Sequence, residues 1–170
     1  NYTDNGNYPY PKKEQVTDYE LGYQYTGNNW HAGANFYYMA YDNQIAQTGQ
    51  TSDIGEALTT NIKDSYRMGV ELTAGWAPLS WLSVEGNAAL SQNKIKDFDE
   101  YLGDHVNHYD KSTLAYSPSA ILNGFLDFHY QGFNATWHTN FVSKQYVDNS
   151  ESSERQLPSF SQTDINMSYT

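Results

Sequence analysis

The chain has 170 residues and a formal net charge of −11, with 20 acidic side chains against nine Lys and Arg, and it contains no cysteine. The acidic balance argues against a nucleic-acid partner, and the lack of cysteine excludes disulfides and thiolate metal sites. No apolar run is long enough for a transmembrane helix, yet 16 Tyr, seven Phe and four Trp are too many large rings for a disordered chain.

Apolar and polar residues alternate with a period of two along most of the chain, which predicts an all-β protein. In the first segment, 18–26, the residues Tyr19, Leu21, Tyr23 and Tyr25 share one face. The same alternation recurs in six further segments, and a helical spacing recurs nowhere. These segments are 30–40, 66–76, 81–96, 116–130, 133–147 and 159–170.

The connections between the seven predicted strands are alternately short and long. Short turns lie near Asn28, Leu79 and Gln131, and long polar stretches span 42–61, 97–115 and 148–158. Outer-membrane barrels have short periplasmic turns and long extracellular loops, so this pattern is typical of them. The sequence therefore predicts an antiparallel, up-and-down transmembrane β-barrel, of which this chain forms a part with about seven strands.

The two faces of the predicted strands differ in composition, and the difference indicates which face meets lipid. The polar face is mostly Gly, Ser, Thr, Asn and Gln, a mixture that suits a barrel lumen better than a surface in bulk water. Aromatic rings flank the short turns, where a membrane barrel carries an interfacial girdle. The residues predicted to face lipid are Tyr23, Phe36, Val70, Val84, Leu126 and Trp137. The charged residues predicted to face the lumen are Glu20, Arg67, Glu71, Glu85, Asp127, Lys144 and Asp164.

The lumen-facing charges have two interpretations that the sequence leaves open. They could hold a plug by salt bridges or line a substrate path, or they could simply pair across strands. On the lipid face a midplane Lys or Arg would cost about 2 to 4 kcal/mol, so the lumen is the expected place for them.

A soluble β-sandwich, a lipocalin-like barrel or a small porin would also show alternating, aromatic-rich strands. Seven long antiparallel strands, however, leave both edges of the sheet open, and exposed long edges promote aggregation. Bacterial single-chain barrels have even strand numbers. We therefore expect a partial barrel whose first and last segments present open edges.

Two groups of residues could be taken for chemical sites. His105 and His108, with Asp104 and Asp110 beside them, could form a loop metal site, but two ordinary loop histidines are the simpler interpretation. Asp127 and His129 invite comparison with an outer-membrane lipase, although residues that point into a lumen could not reach bilayer lipid. We predict no catalytic residue, no metal site and no cofactor, and hence a protein that is not an enzyme.

Five short motifs follow one another over residues 14–170: YELG at 19–22, YDNQI at 41–45, YRMGVEL at 66–72, LPSF at 157–160 and TDIN at 163–166. Together they resemble the C-terminal half of the barrel of TonB-dependent outer-membrane receptors, above all those of Bacteroidetes-like bacteria. This resemblance implies a barrel of about 22 strands with a plug in its lumen. Residues 1–170 would then be part of the C-terminal barrel domain, without the plug and the last strands.

The function that the resemblance implies is active uptake of a scarce nutrient across the outer membrane of a Gram-negative bacterium. The nutrient class stays open among siderophore, haem, cobalamin and glycan. The implied partners are the receptor's own plug and remaining strands, outer-membrane lipid, and TonB through the plug. The acidic stretches 97–100 and 148–154 are expected to be solvated surface, with a cationic ligand or a surface lipoprotein as the alternative contact.

Overall fold

The computed structural model describes residues 11–52, 54–102 and 105–170. Within these ranges the chain forms ten β-strands. They are β1 (Gln15–Thr26), β2 (Trp30–Thr51), β3 (Ala57–Leu79), β4 (Leu82–Leu102), β5 (His105–Thr113), β6 (Ala120–Tyr130), β7 (Phe133–Val142), β8 (Gln145–Tyr146), β9 (Gln156–Leu157) and β10 (Phe160–Tyr169). The described residues include no helix that is long and apolar enough to cross a membrane.

Seven long strands form one antiparallel meander in the order β1-β2-β3-β4-β6-β7-β10, as predicted. Strand β5 pairs with the far half of β4, and β8 and β9 form a separate two-stranded ladder. In the described part of the chain β1 pairs only with β2, and β10 only with β7. The sheet is therefore open, which confirms the prediction of an all-β partial barrel.

The short connections lie where the sequence predicts them, at residues 27–29, 80–81 and 131–132. In the third of these turns Gln131 and Gly132 have φ of 48° and 82°. Positive φ at both central residues is the mark of a type I′ turn, whose twist matches that of the flanking strands. The turn thus sets the register in which Tyr130 pairs with Phe133.

The prediction that 42–61 and 97–115 are loops is wrong for most of their length, because strands continue through them. Strand β2 runs to Thr51 and pairs with β3, and the far part of β4 pairs with β5. Every second residue is still buried in this part of β2, namely Gln44, Ala46 and Thr48. Two of these three side chains are polar, so the sequence does not show the alternation. Two long hairpins therefore project from the same end of the sheet.

The apolar core of the described residues lies in these projecting hairpins and not at the middle of the sheet. Ala46, Ile62, Ile95 and Phe98 are buried together, with Tyr109 and Leu114 packed against them. We call the four buried residues the mouth cluster. The long-hairpin end of the sheet therefore has a small buried core.

Candidate functional site

Cross-strand pairing arranges apolar side chains in rows that cross the sheet from β1 to β7. One row contains Tyr23, Ala34, Leu72, Ala88, Leu122 and Phe141. Directly paired residues lie on the same face of a sheet, so these rows define one apolar face.

All six residues predicted to face lipid belong to this apolar face. Tyr23 lies in the row just named, Phe36 pairs with Val70, and Val84 pairs with Leu126, which pairs with Trp137. Large rings are open to the surroundings on it, since Tyr23 is 74% and Phe36 57% exposed. Apolar surface of this extent on a folded protein marks contact with a lipid or protein partner.

Aromatic rings gather on the apolar face at the short-turn end. Tyr25 and Trp30 stack with their centroids 4.7 Å apart across the first turn. Near the other turns, Trp81 lies edge-on to Phe128 and Tyr130, at 5.4 and 6.3 Å. Such a band has the composition of the aromatic girdle at a membrane interface.

Six of the seven charged residues predicted to face the lumen lie on the opposite, polar face. Glu20 pairs in register with Tyr37, and Glu85 lies in one row with Asp164. The seventh, Lys144, lies beyond the end of β7, with its Nζ 5.3 Å from the centroid of the Tyr146 ring.

Four of the six charges on the polar face have local partners in the described residues. Glu71 accepts a hydrogen bond of 3.4 Å from the Asn35 amide, and Asp127 accepts one of 2.7 Å from the Thr136 hydroxyl. The remaining contacts are Asp164 with His138, at 4.0 Å, and the Arg67 guanidinium over the Tyr41 ring, at 5.3 Å.

Two residues with positive φ change which side chains are buried where the hairpins leave the sheet. Asn43 has φ of 57° and Asp97 of 52°, and neither has a partner in the ladders there. The strand register is the same on both sides of each position, so the left-handed residue reverses the face of the side chains beyond it without a bulge, and Asn and Asp tolerate this conformation best. The alternation of buried and exposed positions changes at these points. In β4, for example, the buried residues Ile95 and Phe98 are three positions apart instead of two.

The mouth cluster therefore continues the polar face, not the apolar one. Ile95 pairs with Ser65, and both occupy alternate strand positions whose side chains lie on the polar face. The hairpins thus fold a small core over one end of that face. Sequence analysis missed this core, although the buried positions alternate within the supposed loops and Asn43 and Asp97 are typical left-handed residues.

The long connection between β7 and β10 is fastened to this folded end by Asn149, which is almost fully buried. Its Nδ2 donates to the carbonyl of Gln47 at 3.2 Å, and its Oδ1 accepts from the backbone N–H of Ala115 at 2.8 Å. Its carbonyl accepts a hydrogen bond from the Ser112 hydroxyl. One side chain thus links three segments, and the predicted solvated loop is instead partly buried structure.

Ion pairs add to this attachment. The Arg155 guanidinium lies 3.0 Å from Glu100, whose side chain is 2% exposed, and 2.7 Å from Asp148. Tyr109 donates a hydrogen bond of 3.1 Å to Glu100. Burial, and then the bond to Glu100, raise the pKa of Tyr109 above its usual value.

A second ion pair joins Lys94 and Glu151 at 2.6 Å. The Thr113 backbone N–H also donates to this carboxylate, at 2.7 Å. Burial alone would raise the pKa of Glu151, but the hydrogen bonds from Lys94 and Thr113 outweigh it and lower the pKa below 4.5.

The two loop histidines differ in surroundings. His108 has its Nδ1 2.8 Å from Asp99 and its Nε2 3.5 Å from Asp110 and 3.8 Å from Asp97. The hydrogen bond to Asp99 chiefly raises the pKa of His108. His105 pairs with Leu102 in the strand ladder, and Asp104 lies outside the described residues.

No set of three or more His, Asp or Glu side chains in residues 11–52, 54–102 and 105–170 is arranged to hold a metal ion. Asp127 and His129, the other pair considered for chemistry, follow one another on β6, where His129 pairs in register with Asn134. The Asp127 carboxylate is engaged by Thr136.

Comparison with known proteins gives one family and a set of similar folds. Residues 1–170 match the family model described as TonB dependent receptor-like, beta-barrel. Among curated proteins no sequence matches this chain.

Three similar solved structures are the copper transporter OprC, the ferric yersiniabactin uptake receptor FyuA from Yersinia pestis and the FrpB iron transporter from Neisseria meningitidis. Their TM-scores are 0.75, 0.67 and 0.62, at 19%, 18% and 14% sequence identity. The alignments cover 94%, 92% and 95% of this chain but only 24%, 22% and 25% of those proteins. This chain therefore has their fold over about a quarter of their length.

Proposed function

This chain belongs to the family of TonB-dependent receptors, since the model of their barrel matches residues 1–170, and we propose that it forms one stretch of the barrel wall of an outer-membrane nutrient transporter. The observation that carries this proposal is the predominantly apolar face, which extends across the sheet and leaves rings such as Tyr23 and Trp137 exposed. In a bilayer that face would lie against lipid, because the hydrocarbon region accepts only strands whose outward side chains are apolar.

The orientation follows from the two ends of the sheet. We place the short turns and their aromatic band on the periplasmic side and the projecting hairpins on the extracellular side. The polar face, with Glu20, Glu71, Asp127 and the other charges named above, would line the lumen. The mouth cluster would then lie at the extracellular opening, where an incoming solute arrives first.

The rest of the transporter would come from a larger receptor of which these residues are a part of the C-terminal barrel domain. Its plug would fill the lumen and contact TonB, and further strands would pair with the open edges of β1 and β10. Unpaired strand edges cost several kcal/mol per group in lipid, so such partners are physically required there. A surface lipoprotein over the acidic hairpins is a further partner of this proposal.

The activity would be energised uptake of a scarce nutrient, of the siderophore, haem, cobalamin or glycan class, and not an enzymatic reaction. The similar proteins OprC and FyuA are described as a copper transporter and a ferric yersiniabactin uptake receptor. Those descriptions support transport as the class of function, while the nutrient of this chain is to be found by experiment.

The test is uptake by cells that carry or lack the full-length receptor. Radiolabelled ferric siderophore, haem, cobalamin and oligosaccharide would be supplied separately, with and without a protonophore. We expect one class to be taken up only with the receptor and only in energised cells. Uptake of several unrelated solutes that the protonophore leaves unchanged would identify an open pore and contradict the proposal.

A further inference from the structure

Arg67 lies on the polar face of β3, and the described residues offer its guanidinium no acceptor. The guanidinium carbon lies 5.3 Å from the centroid of the Tyr41 ring. In residues 11–52, 54–102 and 105–170 no carboxylate oxygen lies within ion-pair distance of Arg67, and its buried Nε has no hydrogen-bond partner. Arginine has five N–H donors, and a ring face attracts the charge without accepting those bonds as an oxygen does. The guanidinium therefore has donors to offer to an anionic ligand.

The side chains beside Arg67 on the polar face carry no charge. Arg67 pairs in register with Met39 on β2 and with Asn93 on β4. The next rows on either side of this one are also neutral. They contain Tyr41, Ser65 and Ile95 toward the mouth cluster, and Tyr37, Gly69 and Ser91 toward the short turns. Within one row of Arg67, the described residues of these three strands thus present a single positive charge.

The nearest carboxylates on the polar face are too far from Arg67 to neutralise it. Asp18 is two strands away in the same row, about 10 Å by strand spacing, and Glu20 and Glu71 lie farther off in deeper rows. The Debye length at physiological ionic strength is about 8 Å, so these charges are largely screened at Arg67. Two further carboxylates belong to the opposite face, those of Asp42 and Asp64. The local charge is thus positive and selects an anionic ligand.

Arg67 lies just inside the mouth of the proposed lumen. It is two residues along β3 from Ser65, which pairs with Ile95 of the mouth cluster. It is nine residues from Trp76, which pairs with Trp30 of the aromatic band at the short-turn end. At about 3.3 Å per residue and a tilt of about 40°, these nine residues span about 23 Å. A solute that enters past the mouth cluster therefore comes within reach of Arg67 before it reaches the carboxylates deeper in the lumen.

We propose that Arg67 binds an anionic oxygen group of the transported solute, a carboxylate or a catecholate. The planar guanidinium can donate two parallel hydrogen bonds to the paired oxygens of either group, while Tyr41 keeps contact with its face. The nutrient is therefore an anion, such as a ferric catecholate or haem with its propionates, and not an uncharged oligosaccharide. The position just inside the mouth favours the solute over a plug carboxylate as the partner. The inference rests on the proposed function, because it takes the polar face as the wall of the lumen.

Isothermal titration calorimetry of the purified full-length receptor tests the site with four probes: a ferric tricatecholate, haem, cyanocobalamin and a maltooligosaccharide. We expect one of the first two to bind, and which of them binds distinguishes catecholate from carboxylate. Arg67→Gln should weaken that binding about thirtyfold, because hydrogen bonds to a charged group are lost. Arg67→Lys keeps the charge but not the planar fork and should recover only part of the affinity. The matched control Lys63→Gln removes an exposed cation from the same strand and should bind as the wild type does.

Three results would overturn the assignment of Arg67. Equal losses of affinity in Arg67→Gln and Lys63→Gln would reduce the effect to general charge. A lower melting temperature of solute-free Arg67→Gln, with unchanged affinity for the solute, would identify a plug carboxylate as the partner. If cells take up only cyanocobalamin or the maltooligosaccharide in an energy-dependent way, the proposed transport stands and this site alone is refuted. If none of the four probes is taken up in that way, the proposed function fails with it.

Discussion

The guanidinium of Arg155 lies 3.0 Å from the carboxylate of Glu100, although these residues belong to different connections at the long-hairpin end of the sheet. Glu100 is on β4, and Arg155 immediately precedes β9. This contact closes the segment between β7 and β10 over the mouth cluster.

Replacing Arg155 should loosen that segment. In Arg155→Met the Glu100 carboxylate stays buried without its cation, and because the Arg155 side chain is 38% exposed, the cost should be less than about 3 to 5 kcal/mol, the value for a fully buried pair. Hydrogen exchange of the full-length receptor should then be faster in residues 146–157. Lys13→Met, which removes a cation from an exposed position away from this segment, should leave the exchange unchanged. Equal exchange in wild type and Arg155→Met would show that the ion pair does not hold the segment.

The attachment through Glu151 should weaken in acid. The pKa of this carboxyl lies lower in the folded chain than in an unfolded one, so its contribution is complete above the unfolded value and is lost as the pH falls through the folded value. The protection factor of the Thr113 amide, which donates to Glu151, should therefore fall below about pH 4 when the exchange rate is corrected for its intrinsic dependence on pH. Glu151→Gln should remove this dependence on pH. A variant with the wild-type profile would contradict the assignment.

His108 should act in the opposite direction. Its pKa is raised, chiefly by the hydrogen bond to Asp99, so its stabilising effect is complete below the unfolded pKa and is lost as the pH rises through the folded value. The protection factors of the amides in the hairpin of β4 and β5, which are corrected for the intrinsic rise of exchange with pH, should consequently be lower at pH 8 than at pH 6, as about two pH units span this titration. His108→Gln should show no such difference. An NMR titration of the ring that gave a pKa below 6.5 would refute the prediction.

The wall of the barrel could be predicted from the sequence, because a strand exposed on two chemically different faces leaves a clean alternation of side chains. That alternation correctly assigned residues such as Phe36, Val70 and Trp137 to one face. Short turns such as Gln131-Gly132 could also be predicted from the sequence, because their backbone conformation requires particular residues.

The long-hairpin end could not be predicted in the same way. Its strands carry polar residues on both faces, so composition resembles a loop, and one left-handed residue shifts the phase of burial. Asn43 and Asp97 each produce such a shift. The contact of Arg155 with Glu100 depends on how two distant hairpins meet, and no local pattern contains that information. Lys144 was assigned to the lumen by continuing the alternation of β7 to residue 144, but the strand ends at Val142.

Substitution by arginine should distinguish the two faces of the wall. Val70→Arg places a charge on the apolar face and should lower barrel stability by about 2 to 4 kcal/mol near the midplane. Thr73→Arg, three residues further along the same strand on the polar face, should cost clearly less. Unfolding of the full-length receptor in lipid vesicles by denaturant measures both. A larger loss for Thr73→Arg would mean that the faces are reversed.

The central claim is that the sheet crosses the outer membrane with its projecting hairpins outside, and cysteine labelling tests it most directly. The chain has no cysteine of its own, so single cysteines at the exposed positions Ser153 and Asn28 can be compared without background from these residues. Intact cells that express the full-length receptor with Ser153→Cys should react with a membrane-impermeant maleimide, whereas those with Asn28→Cys should react only after the outer membrane is permeabilised. Labelling of Asn28→Cys on intact cells, with Ser153→Cys protected, would contradict the account.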